Sequence, residues 1–358
     1  MEPELLKFCA GQEIHVIEAM QKIDHNARGI LFILDAEEKV VASLSDGDIR
    51  RWLIRTGELQ ANVTSMMNRN LKFRYSGQEE DALSEMQEQK IKAMPIVDAD
   101  KHIIKILFDS DEPGEILSKK NTKLKDVPVV IMAGGQGTRL YPYTKILPKP
   151  LIPIGDIPII ERIINKFFDF GARDYYVTVN YKKGMIKSYF AELSPEYSVS
   201  YIEEDKPLGT AGSLRLMKKN FKRPIFVTNC DILIHADYAN LYEYHQKSGN
   251  VMTIITALKN IVVPYGVLKS REQGIVTSME EKPKLSYFVN TGMYILNPEV
   301  IERIPGNRMF HMTDLADDLL KTGSQVGMYP ISEDSFLDMG EFEEMKKMEE
   351  RINSGSIR

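Results

Sequence analysis

Residues 127–140 read VPVVIMAGGQGTRL, and this stretch decides the architecture of the longer part of the chain. Val127 to Ala133 is a short apolar run rich in β-branched residues, the pattern of a strand covered on both faces. Gly134, Gly135 and Gly137 then interrupt it. Glycine lets the backbone turn tightly and bring N–H groups close to an oxyanion, so the turn suits a phosphate. Spacing excludes two common phosphate loops. A dinucleotide fingerprint needs a third glycine where Leu140 stands, and a P-loop needs Gly-Lys-[Ser/Thr], which this stretch lacks.

Downstream, β-branched runs such as YYVTVN, PIFVTNCD and MTIITAL alternate with helical patterns such as IIERIINKFFDF and YANLYEYHQK. That alternation predicts an α/β domain over residues 127–358, its sheet mostly parallel and covered by helices. Upstream lies a repeat. Asp35 and Asp98, Ala19 and Ala82, Ile23 and Met86, Leu44 and Leu107, and Asp48 and Asp111 all stand 63 positions apart. Each copy reads as helix, strand ending in Asp, polar turn, second strand and acidic turn, so residues 1–115 are expected to hold two β-α-β-β-α units. Residues 116–126, polar and rich in lysine, read as the linker.

Composition narrows the function classes. With 358 residues, two or three cores are expected. A net charge of −5 argues against nucleic acid or an anionic membrane as partner, so an anionic substrate needs a local cationic site. Cys9 and Cys230 offer neither a disulfide framework nor a metal knuckle, which fits a reducing, cytoplasmic setting. No apolar run is long enough to span a bilayer, and the acidic N-terminus lacks the order of a secretion signal. The six histidines form no HExxH pattern, and His235 and His311 read as structural.

Read on to Pro153, the glycine stretch becomes GGxGTRLxPxTxxxPKPxxP, which resembles the signature of the sugar-1-phosphate nucleotidyltransferases over residues 128 to about 350. The fold this implies is a Rossmann-like, GT-A-like nucleotidyltransferase sheet. It implies nucleotide contacts from Ala133, Gly134, Gly135, Gly137, Thr138, Gly209 and Thr210. Arg139 would hold the β and γ phosphates and Lys149 the α-phosphate, where fixed cations stabilise the charge of the transition state. Asp231, ending the PIFVTNC run, and Asp338 in FLDMG would be the ligands of a Mg²⁺ ion, which takes one or two carboxylates and completes its shell with phosphates and water. Asp156, Phe336 and Glu341 depart from the usual pattern around these motifs.

In YIEEDKPLGTAGSL the residue five before Gly209 stands at the family's base-reading position, and it is Glu204. A carboxylate only accepts hydrogen bonds, which matches the adjacent N1–H and N2 amine of guanine and mismatches the carbonyls of uracil. GTP is therefore the expected donor, with UTP, dTTP and CTP as alternatives. Both acids could instead be exposed loop residues. PYGVLK, MEEKP and FVNTGMYIL resemble the segments around the sugar-1-phosphate: Gly266, Glu281, Asn290 and Thr291 for the sugar, Lys282 for the attacking phosphate.

The front repeat, through ILDAEEKVVASLSDGDIRR, resembles the tandem CBS (Bateman) module, a likeness that implies a regulatory adenine nucleotide at Ser45 and Asp48 and a homo-oligomer. Ser45-x-x-Asp48 is equally a capping box. In the second copy Phe108 replaces the hydroxyl residue. The whole architecture resembles the guanylyltransferases that make GDP-sugars for bacterial surface glycans, among them those acting on glucosamine-1-phosphate in legionaminic acid synthesis. A nucleotide-sensing subunit without activity is the reading from another class.

Overall fold

A computed structural model describes residues 3–26, 28–109, 123–217, 219 and 221–353. They group into two compact units, residues 1–118 with 260–286, and residues 119–259 with 287–358.

In the first unit, β1 (Cys9–Gly11), β2 (Ile30–Leu34) and β3 (Val40–Ser45) form one sheet, and β4 (Arg74–Tyr75), β5 (Ala93–Val97) and β6 (Ile103–Phe108) form another. The 63-residue repeat is structural. Ile30 faces Ser45 as Ala93 faces Phe108, and both hairpins carry their irregularity at the same place, Ile33/Leu34 and Ile96/Val97. Helices Val16–Asn26 and Glu79–Gln89 occupy matching positions. The aspartate of each copy has the same job: one Oδ1 accepts from the N–H groups two and four residues on, Glu37 and Lys39 for Asp35, Asp100 and His102 for Asp98. Such side-chain bonds close a hairpin turn on its own backbone. Phe32, Leu34 and Val40 pack with Ala93, Val97 and Ile103 in one shared core, so neither copy has to bury its sheet alone.

Ser45 caps helix Asp46–Thr56 in a complete capping box: Asp48 N donates to Ser45 Oγ at 3.2 Å, and Ser45 N to Asp48 Oδ2 at 2.9 Å. Phe108, the second copy's counterpart, is buried with its ring 5.1 Å from that of Phe8. Asp111 and most of the expected linker lie outside the described residues.

The second unit is built on a seven-stranded sheet. Its strands in chain order are β7 (Val129–Met132), β10 (Asp174–Val179), β11 (Ser198–Glu203), β12 (Ile225–Asn229), β14 (Met252–Val262), β17 (Lys284–Leu296) and β18 (Val326–Ile331); β8 (Pro153–Ile154), β9 (Ile157–Pro158) and β13 (Ile232–Ile234) lie outside it. The spatial order is β11-β10-β7-β12-β17-β14-β18. β7, β10, β11 and β12 run parallel, and β17 enters antiparallel to β12. The mostly parallel sheet expected from the sequence is therefore present.

Helix Ile159–Asp169 shows why the layers hold. Ile159, Ile160, Ile163, Ile164 and Phe167 fall on one helical face and are all buried. Phe167 meets Tyr238 and Phe226 at ring distances of 4.5 and 5.1 Å. Leu124, within the stretch read as linker, is fully buried in the same core, and its N–H donates to Phe170 O. Packing of this unit thus begins before residue 127.

Between β14 and β17 the chain forms a two-stranded arm, β15 (Val267–Ser270) paired antiparallel with β16 (Val276–Glu280). The arm groups with the first unit. β19 (Phe336–Asp338) pairs with β13.

Candidate active site

The carboxyl ends of β7, β10, β11 and β12 open on a cleft of about 450 Å³, the place where open parallel sheets bind ligands. It is lined by Gly134, Gly135, Gly137, Thr138 and Arg139 from the first loop, then Lys149, Glu204, Gly209, Thr210 and Asp231. Of the residues expected to hold the nucleotide and its phosphates, only Ala133 is absent from that lining. It is buried beneath the loop, donating its N–H to Thr178 O and Oγ1.

Each glycine of the loop has a separate reason. At Gly137, φ is +64° and a Cβ would approach Lys149 Cβ and Thr144 Cγ2 to 3.0 Å, so this glycine lets the loop lie against the lysine. A Cβ on Gly134 would come within 2.7 Å of Glu204 Oε1. At Gly135 nothing stands within 4 Å of a Cβ position, and the residue lines the cleft.

Lys149 and Asp231 form an ion pair, Nζ to Oδ2 at 2.5 Å, with side-chain exposures of 9% and 19%. Asp231 follows β12 and Asp338 ends β19; the pairing of β13 with β19 sets Ile232 opposite Asp338, and Met339 N donates to Asp231 O at 2.7 Å. The two acids sense each other. Burial raises the Asp338 carboxyl above the usual range, the Asp231 charge raises it further, and Lys149 and Arg139 oppose the rise. Arg139 Nη1 lies 3.5 Å from the Cβ position of Gly340, beside Asp338. Arg139, Lys149 and Asp231, from distant parts of the sequence, thus meet at the cleft, and Asp338, outside its lining, is near enough to feel the charge of all three. Among the described residues, no three His, Cys, Asp or Glu side chains cluster as a metal cage.

The consecutive acids Glu203 and Glu204 have opposite fates. Glu203 is exposed, bonded by Lys183 and Lys187, and held down to about 2 by them. Glu204 is 6% exposed and turns into the cleft. Strand alternation accounts for the difference, because successive residues of a strand leave on opposite faces. The loop-acid alternative holds for Glu203 only.

Segment 308–312 was not expected at the site. Phe310 O accepts from Ala211 N and Gly212 N, Met312 N donates to Thr210 Oγ1, and Gly209 sits at φ +80° with no room for a Cβ, which would fall 2.6 Å from Phe310 O. Met309 and His311 consequently line the cleft. His311 does cap helix Met312–Lys321, but its ring also faces the nucleotide loop, with Nδ1 3.5 Å from Thr210 N. Met132, Thr178, Pro207, Asn229 and Cys230 complete the lining. Burial and the Asp231 charge push the Cys230 thiol up to about 12, so it is no nucleophile near neutral pH.

The remaining expected residues lie elsewhere. Thr291 is buried and donates to Ile255 O; Asn290 donates to Tyr294 Oη and accepts from Gly292 N. Gly266 and Glu281 meet across the arm, where a Cβ at Gly266 would stand 3.0 Å from Glu281 Oε2. Lys282 follows them, exposed and at φ +47°.

A phosphate-type glycine turn, paired cations and acids at the carboxyl ends of parallel strands define an α/β nucleotide-handling protein. The pattern of the nucleotidyl transferase family matches residues 128–355, and the chain belongs to that family. Among curated relatives, it is 36% identical over 184 residues to the mannose-1-phosphate guanyltransferases of Debaryomyces hansenii and Pichia angusta, an alignment covering 49% of this chain. The chain spans about half the length of these relatives, 51% and 50%. A Bacillus anthracis structure assigned as a glucose-1-phosphate thymidylyltransferase, holding sucrose, matches 63% of this chain and 94% of its own with a TM-score of 0.50 at 23% identity, a likeness of fold. No helix among the described residues is long and apolar enough to cross a membrane.

Proposed function

We propose that the chain transfers GMP from GTP to a sugar-1-phosphate. A phosphate oxygen of the sugar-1-phosphate attacks the α-phosphorus, the bond from that phosphorus to the β-phosphate oxygen breaks, and pyrophosphate leaves. The observation that carries the reading is the convergence of the glycine turn, Arg139, Lys149, Asp231 and Glu204 on one cleft. Arg139 and Lys149 would bind the phosphates, and Glu204 would accept from the guanine N1–H and N2 amine. The fungal relatives, mannose-1-phosphate guanyltransferases, support guanine as base and a hexose-1-phosphate as acceptor.

Mg²⁺ fits the acids. Two hard oxygen donors sit close enough for Asp231 to raise the Asp338 carboxyl, and a divalent cation relieves that repulsion. Bound there, it would neutralise phosphate charge. For Gly266, Glu281, Lys282, Asn290 and Thr291 the sugar-phosphate role rests on the motif series alone. The front repeat is read as a CBS pair that takes an adenine nucleotide and joins copies of the chain; its shared core and matched registers support a tandem module.

The test is pyrophosphate release, with and without Mg²⁺, over a matrix of GTP, UTP, dTTP, CTP and ATP against glucosamine-, mannose- and glucose-1-phosphate. GTP is expected to exceed the other donors at least tenfold with one acceptor, and Glu204→Gln to abolish that preference. Preference for a pyrimidine triphosphate rejects the guanine assignment. No pyrophosphate from any pair favours the regulatory subunit.

A further inference from the structure

The carboxylate of Glu204 is held by two donors that do not belong to the nucleotide. Oε1 accepts from Ser213 Oγ at 2.8 Å, and Oε2 accepts from Leu208 N at 3.2 Å. Ser213 is fully buried and Leu208 is 3% exposed. The backbone of Glu204 is fixed as well, its N–H donating to Val179 O and its carbonyl accepting from Asn180 Nδ2 at 2.8 Å. On the side of Gly134 there is no space even for a methyl group. The acid is therefore boxed in, with a glycine on one side and a donor on each oxygen.

Two donors facing two oxygens suit a carboxylate, which only accepts. Each oxygen has a further lone pair, so the group keeps one acceptor position per oxygen for a ligand in the cleft. The Leu208 N–H cannot reverse its role, whereas the Ser213 hydroxyl can rotate. Ser213 is thus the adjustable half of the clamp. Without it, Oε1 would be a buried charged oxygen lacking a partner, free to turn toward a new one.

Resting on the base-reading role proposed for Glu204, we propose that Ser213 is a positioning residue for nucleobase selection: its hydroxyl orients the Glu204 carboxylate so that both oxygens meet the adjacent donors of guanine. Ser213 touches no reacting atom. Its influence passes through Glu204, and it should act on binding of one base and leave the chemical step alone.

The experiment measures kcat and KM for GTP and for UTP in the full chain with Ser213→Ala, with Ser213→Cys, which keeps the shape but donates weakly, with Glu204→Gln, and with Ser213→Ala/Glu204→Gln. Losing one hydrogen bond to a charged group predicts a roughly tenfold or larger rise in KM for GTP in Ser213→Ala, with kcat within about threefold and KM for UTP within about threefold. Ser213→Cys shifts the same way, which covers failure of the alanine variant to fold. On the Glu204→Gln background, Ser213→Ala adds little. If Glu204→Gln abolishes GTP preference while both Ser213 variants retain it, the positioning role is wrong and the base-reading role stands. Equal KM increases for GTP and UTP mean a loosened loop and overturn the proposal. Retained GTP preference in Glu204→Gln overturns both.

Discussion

Lys149→Met tests the centre of the site in the ligand-free protein. At 2.5 Å and an effective dielectric of about 20, the Lys149–Asp231 attraction is about 7 kcal/mol before desolvation is subtracted. Removing one partner of a buried pair costs about 3–5 kcal/mol, and the 19% exposure of Asp231 places this pair near the lower end, at about 3 kcal/mol. With a urea dependence of about 2–3 kcal/mol per molar, the midpoint should fall by about 1–1.5 M. The assay is urea unfolding with EDTA present, followed by a signal from the second unit. Asp231→Asn should cost less than Lys149→Met. It strands the lysine but also removes the repulsion on Asp338, whereas Lys149→Met leaves two neighbouring carboxylates opposed by Arg139. The double variant should recover about 2–3 kcal/mol relative to the sum of the singles. A midpoint for Lys149→Met indistinguishable from wild type, or the reverse order of the two singles, would refute the pairing.

Asp338→Asn should stabilise the metal-free protein while abolishing turnover. Because the folded protein raises this carboxyl, it binds the proton more tightly than the unfolded chain, so stability falls as pH rises from the ordinary carboxylate range, about 4, through the folded pKa. The advantage of the variant is complete above that window and vanishes below it; parallel urea midpoints from pH 4 to 8 would contradict this. Gly209→Ala should cost about 2–3 kcal/mol, from φ +80° and a clash with Phe310 O. Gly135→Ala should leave stability within about 0.5 kcal/mol and raise KM for every NTP, since the residue lines the cleft and has open space beside it; thermal unfolding and a nucleotide panel distinguish the two.

What the sequence disclosed depended on the range of the interaction. The stripe of Ile159, Ile160, Ile163, Ile164 and Phe167 is a periodic, local signal, and the helix follows it. The 63-residue repeat was legible for the same reason, since each Asp closes its own hairpin with its own neighbours. Leu124 was missed because one apolar residue among lysines carries no period; only the packing against Phe170 makes it core. Segment 308–312 was missed because its place is set by Phe310 O, which bonds to residues about a hundred positions earlier. The one available clue was Gly209, whose conformation and lack of space require a close neighbour without naming it.

The site residues were legible as types, but not in their balance. Arg139 and Lys149 are the cations; Glu204, Asp231 and the adjacent Asp338 are the acids, so two positive groups stand against three carboxylates. Lys149 is already neutralised by Asp231, and among the described residues Arg139 makes no ion pair or hydrogen bond. A triphosphate bearing about four negative charges would therefore meet a cleft with little positive field of its own. On the proposed function, a nucleotide that arrives with its cation suits this charge balance: an ion held by Asp231 and Asp338 would screen both acids, weaken the hold of Asp231 on Lys149, and leave Arg139 and Lys149 for the phosphates. The same carboxylates that make the metal-free cleft a poor anion site would then make it a selective one.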